Sequence, residues 1–386
     1  MVEAPFEAEG IFPMQWLRIA AERGIIQSGE YSIPASNFQP ASVDLRLGDK
    51  AYRLRCSFLP HDQTVQDKLS DFVMGEIDLR DGGILERNRP YLIPLIEELR
   101  LPQGIRAKTN PRSSTGRLDI FTRVITDRSN RFDEIPAGYH GRLYLEVAPR
   151  SFTVQVQEGL SLNQLRLIQG QYRASDQLTL DYHKHTPVIF LGGQPADASY
   201  LDAGNGVSLS IDLTGDENKV VGYKARKNSF LLNLSAIGHY NAEDFWEPVY
   251  GERKDRLVLE PEEFYLLLSA ESVRIPPLFA AEMNPYDPTS GELRTHYAGF
   301  FDPGFGHDTR NLSSGSRAVL EVRAHDVPFM IENGQKVCRL EFQTMAEAPD
   351  ILYGSEVGSS YQYQELTLSK HFRSEKPSAT TQPPLL

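Results

Sequence analysis

Cysteine is almost missing from this chain: there are two in 386 residues, Cys56 and Cys338, and no C-x-x-C. That excludes a disulfide framework and a cysteine-built zinc site. No run approaches the roughly 18 apolar residues of a membrane span. The opening MVEAPFEAEG is acidic where a secretory leader would be basic, so a cytoplasmic location is expected. Positive charge is also short: 40 Lys and Arg against 52 Asp and Glu leave a formal net charge of −12. A broad nucleic-acid surface does not fit that balance, although a small anion in a local basic pocket does. The remaining composition, 40% hydrophobic and 24% charged, is that of a soluble globular protein, and the length allows two or three domains.

Against this acidic background the stretch NPRSSTGRLDI, residues 110–120, places Arg112 and Arg117 five residues apart with hydroxyls between them. One reading is a solvated turn. The other is an anion site, with guanidinium forks and hydroxyls converging on phosphate oxygens.

The chain is written twice. Residues 141–167 lie without a gap over 316–342, bringing together Arg142/Arg317, Leu145/Leu320, Glu146/Glu321 and Gly159/Gly334. Upstream, 91–111 lies over 265–285, and SVDLRLG (42–48) pairs with SIDLTG (210–215). Each copy is dominated by short alternating or apolar runs, such as YLEV, FTVQVQ, SFLLNL and FYLLLS, punctuated by Gly, Pro, Asn and Asp. This predicts a mainly β chain with a barrel or sandwich in each half. One helix is expected in FPMQWLRIAAERGI, with Pro13 near its start and Gly24 ending it. The Gly-, Ala- and Asp-rich stretch at 185–200 suggests two domains, 1–195 and 196–372, followed by a disordered tail, 373–386. Trp16 and Trp246 are expected in packing, and YHKHT (182–186) in a solvated turn rather than a metal site.

Four motifs in series resemble the dCTP deaminase branch of the dUTPase-like superfamily: QPASVDLRLG (39–48), PRSSTGRL (111–118), AGYHGRLYLEV (137–147) and YGSEVGSSYQYQELTLSK (353–370). The resemblance implies two tandem dUTPase-like distorted β-barrels with a few short helices. It further implies hydrolysis of dCTP to dUTP and ammonia. Glu146 would be the catalytic residue, Arg112, Ser113, Ser114 and Arg117 the phosphate loop, and Tyr144 and Leu145 would bind substrate beside the glutamate. Tyr353 and Gln364 would lie on a C-terminal arm that folds over the nucleotide. Mg²⁺ would accompany the triphosphate, no zinc would be used, and the protein would be a homo-oligomer, a trimer by resemblance, with no polymer or membrane partner.

The chemistry is self-consistent. Zinc deaminases carry H-x-E…P-C-x-x-C, which is absent here. A metal-free route needs a carboxylate that takes a proton from water and returns it to the base, which is the role expected of Glu146. In the second copy the loop reads NPYDPTSGEL, so that Tyr286 replaces Arg112, Glu292 replaces Arg117 and Asp287 enters. That loop is expected not to hold a triphosphate, leaving Glu321 idle and the arm of the second copy closing over the loop of the first. The sugar-recognising aspartate of the family is Pro136 here, with Asp133 or Asp127 as substitutes, while the second copy keeps Asp302 in FDPGF. Two other readings stand beside deamination: dUTP hydrolysis, alone or combined with it, and a non-catalytic nucleotide-binding assembly module.

Overall fold

The computed structural model describes residues 6–202, 206–285, 293–295, 299–307, 315–324, 326–354 and 366–373. In the first half, Tyr91–Arg100 pairs antiparallel with His140–Pro149, which pairs in turn with Ile120–Ile125. The facing sheet runs Glu134–Ile135, Ile105–Pro111, Ser161–Gln169 and Ser42–Arg46. In the second half, Phe264–Val273 pairs with Ser316–Ala324, and Lys336–Thr344 lies between Phe279–Pro285 and Gly206–Asp212. The fold is mainly β, as the patterning predicted, with two distorted barrels in tandem, as the resemblance implied.

Strand register fixes the duplication residue by residue. Leu92 lies opposite Glu146 in the first barrel, and Leu266 opposite Glu321 in the second. Asn110 lies opposite Gln164, and Asn284 opposite Arg339. The SVDLRLG block needs a correction. Arg46 lies opposite Ser161 and Ser210 opposite Lys336, so the counterpart of Arg46 is Ser210, four residues before the Thr214 that the sequence pairing gives it. The buried glutamates agree: Glu97 accepts from the Arg46 backbone at 2.7 Å, and Glu271 from the Ser210 backbone at 2.8 Å. The recurring S-x-D-L pattern misleads because cross-strand partners, and not letter identity, set register. The counterpart of Asp44 is therefore Ser208.

The first helix, Met14–Glu22, begins after Pro13 and buries Met14, Leu17 and Ala20 on one face. Gly24 follows it at φ 71°, a left-handed stop that glycine adopts without strain. The chain around the expected domain boundary is partly structured. Asp176–His185 is a helix, and Ile189–Leu191 joins the sheet of the second barrel through Phe264–Val273. His183 is buried there rather than in a solvated turn: its Nδ1 accepts from the Val188 backbone at 3.2 Å. The barrels are joined by a parallel bridge, Val154–Val156 with Leu232–Asn233, and by aromatic packing in which Trp246 is buried edge-on to Phe152 at 5.3 Å. Among the described residues no helix is long and apolar enough to cross a membrane.

Candidate active site

Strand Ile105–Pro111 delivers the arginine–serine loop. Its alternating buried residues hold it in the sheet, and beyond Pro111 the chain makes one helical turn, Ser113–Gly116, with Arg112 at its N-cap position. The Arg112 backbone N–H is fixed by the Leu162 carbonyl at 3.0 Å. Its Nη1 meets Asp44 Oδ2 at 3.0 Å, and 28% of the side chain stays exposed. Burial pushes the Asp44 carboxyl up to about 6, with Arg112 pulling it down. Ser113 is exposed, whereas Ser114 and Arg117 are buried.

The second half of the chain closes this loop. Arg117 Nη1 donates to the Thr367 carbonyl at 2.6 Å, and Ser369 Oγ donates to the Ser114 carbonyl at 3.0 Å. Lys370 follows, its ammonium pushed down by burial and by the Arg112 charge. Arg112, Ser114, Ser235, Lys370 and His371 line a cavity of about 240 Å³. The arm end is anchored by Phe372, buried and edge-on to Phe245 at 5.5 Å and Trp246 at 6.1 Å. Leu366 and Leu368 of the arm also pack on the core. Burial first, then Lys370, pushes His371 down to about 4, so its imidazole is neutral at neutral pH.

The two glutamates have different surroundings. Glu146 is 1% exposed, and its Oε1 takes Arg123 Nη2 at 2.5 Å while Oε2 is sealed without a hydrogen bond. Arg123 also donates to Ser57 Oγ at 3.0 Å and lies 3.7 Å from the Phe132 ring centre. Glu321 retains partial exposure, with Arg117 and Asp119 of the first barrel within charge–charge range. The structure thus brings Arg117 together with Glu321, and Glu146 with Arg123.

The other expected residues are dispersed. Tyr144 packs with Leu54, Phe58 and Leu92, and Leu145 is in the main core. Tyr353 lies on the second barrel, its backbone N–H bonded to the Pro303 carbonyl at 2.8 Å. Gln364, Tyr286, Asp287 and Glu292 lie outside the described residues. Asp133 accepts from Thr109 Oγ1 at 2.7 Å and the Val124 backbone at 2.8 Å, and Asp127 from the Val65 backbone at 2.7 Å, so both brace strands and turns. Asp302 is buried against Arg166 at 3.0 Å, and its charge reaches Asp44. Sequence reasoning missed Asp44, Lys370 and Arg123. Lys370 was visible as a cation in the arm motif, but the ion pairs of Asp44 and Arg123 depend on strand register.

Two tandem barrels share one cation-lined cleft, to which residues of both halves contribute. Residues 8–171 match the family model for the 2′-deoxycytidine 5′-triphosphate deaminase (DCD) N-terminal domain, and residues 175–372 match that for its C-terminal domain. The chain belongs to this 2′-deoxycytidine 5′-triphosphate deaminase family. It is similar to a solved structure described as 2′-deoxycytidine 5′-triphosphate deaminase from Agrobacterium tumefaciens, with 44% identity and a TM-score of 0.84, covering 91% of this chain and 100% of that one. A Methanothermobacter thermautotrophicus protein named dCTP deaminase, dUMP-forming, is 28% identical over 128 residues, 33% of this chain and 62% of that protein. An Acidianus ambivalens protein named dCTP deaminase is 30% identical over 117 residues, 30% of this chain and 61% of that protein. The chain thus spans less than two thirds of the length of these two relatives.

Proposed function

We propose that the chain deaminates dCTP by hydrolysis, without zinc, releasing ammonia and dUTP. The observation that carries this reading is the cleft in which Arg112, Lys370 and Ser114 converge from two barrels. A triphosphate carries up to about four negative charges, and charge-assisted contacts from arginine, lysine and hydroxyl groups are suited to it. Arg112 is held by Asp44 along one edge and offers the rest of its fork. Among the described residues no group of three or more His, Cys, Asp or Glu side chains is placed to hold a metal ion. Mg²⁺ would arrive on the triphosphate oxygens, where it offsets charge. In this reading the water is activated by a side chain, and a carboxylate near the loop supplies the proton transfer.

Incubating the purified protein with dCTP and with dUTP, and resolving nucleotides and ammonia, tests this reading. Ammonia with dUTP from dCTP is the expected result; no ammonia contradicts it. A second reading, deamination coupled to release of pyrophosphate and dUMP, is favoured by the dUMP-forming name of the Methanothermobacter relative. The same chromatogram separates the two by the presence of dUMP.

A further inference from the structure

We infer that the acid–base group of this cleft is Glu321 of the second barrel, and that Glu146, its counterpart in the first, braces the fold. The inference rests on the deaminase reading above and assigns one of its two available carboxylates.

A base that activates water must reach water and must not be tied up in an ion pair. Glu146 meets neither condition, because its carboxylate is sealed and neutralised by Arg123. Glu321 differs on both counts: the residue keeps partial exposure, and its charged neighbours are Arg117 and Asp119 across the seam on the first barrel.

Placement points the same way. Glu321 and Arg323 are two apart on one strand and project from the same face. Arg323 reaches into the first barrel and forms a buried ion pair with Asp119, two residues past Arg117. On the same face, Val319, with Leu266 from the neighbouring strand, joins the core cluster that contains Leu118 and Phe152 of the first barrel. The glutamate-bearing face of the second barrel is thus packed against the arginine–serine loop. In the first barrel the corresponding face, carrying Tyr144 and Leu92, is covered by Leu54, Phe58, Val65 and Leu69 of its own preceding segment. Burial also pushes the Glu321 carboxyl up to about 8, with Arg117 drawing it down, which suits a group that takes a proton and gives it back.

The step balances with water alone. Glu321 carboxylate takes a proton from water as the oxygen adds to C4 of cytosine, and passes it to N3. It then takes the proton of the new hydroxyl and delivers it to the amino group. The C4–N bond breaks, ammonia leaves, the C4 carbonyl forms and the carboxylate is restored.

The test compares Glu321→Gln and Glu146→Gln in the full chain, with ammonia release and calorimetric dCTP binding as paired readouts. Glu321→Gln should lower ammonia release by about 10²- to 10⁴-fold while dCTP binding stays within about tenfold. Glu146→Gln should retain turnover within about tenfold of the parent. If losing the Arg123 partner unfolds that variant, the double change Arg123→Gln with Glu146→Gln removes both charges and carries the same expectation. Full ammonia release by Glu321→Gln, or its loss in the Arg123/Glu146 double variant alone, overturns the assignment while leaving the deaminase reading standing. A parent protein that releases no ammonia from dCTP removes both, and is seen before any variant is made.

Discussion

Arg323 of the second barrel forms a buried ion pair with Asp119 of the first, and Asp119 also takes the Ser151 hydroxyl at 2.6 Å. The pair lies on the seam between the barrels, beside Arg117 and Glu321. Removing one partner leaves an uncompensated buried charge. Asp119→Asn should therefore destabilise the protein by about 3–5 kcal/mol in urea unfolding, whereas a merely superficial pair would cost under about 1 kcal/mol.

Arg112→Ala should weaken dCTP binding by about 1.5–3 kcal/mol, roughly 10- to 150-fold in Kd, by removing a charge-assisted contact. Arg112→Lys should restore only part of that, since a point charge cannot both meet Asp44 and fork onto a phosphate. Unchanged calorimetric affinity in Arg112→Ala would remove the loop from the binding site.

Glu321 should also reveal itself without substrate. Its folded-state pKa, about 8, lies above the ordinary 4.5, so between those values the native state holds a proton that the unfolded chain has lost. Stability attributable to this group must fall as pH rises through that window. Glu321→Gln should remove the decline and raise the melting temperature at alkaline pH relative to the parent. A parallel pH–stability profile for parent and variant would show that folding does not raise the affinity of this carboxyl for its proton.

His371 gives the opposite slope. Held down to about 4 from the ordinary 6.5, it is neutral in the fold and charged in the unfolded chain between those values. Its contribution is present above about 6.5 and lost as pH falls toward 4. Replacing it, as in His371→Asn, should flatten that part of the acid limb. Because Ser369 links the imidazole to the Ser114 carbonyl, the same change should loosen the arm and weaken dCTP binding.

The sequence carried the duplication, the β class and the arginine–serine loop, because those depend on local pattern and residue type. Glu146 and Glu321 stand in equivalent LEV triplets, so sequence alone gave no means of telling which carboxylate faces the loop. That choice depends on long-range packing: on Arg123 lying opposite Glu146 in strand register, and on the segment from Leu54 to Leu69 covering one glutamate face but not the other. Pairing SVDLRLG with SIDLTG failed for a related reason, since the buried carboxylates Glu97 and Glu271 mark the register and neither lies within the matched block. Lys370 was legible as a cation but not as a neighbour of Arg112, because more than two hundred residues separate them.

A crystal structure of the Glu321→Gln variant with dCTP bound tests the shared cleft most directly, since the substrate should persist unreacted. The triphosphate should lie against Arg112 and Lys370, with C4 of the cytosine beside residue 321. A cytosine seated instead against Glu146 and Arg123, with the loop of residues 112–117 away from the phosphates, would contradict it.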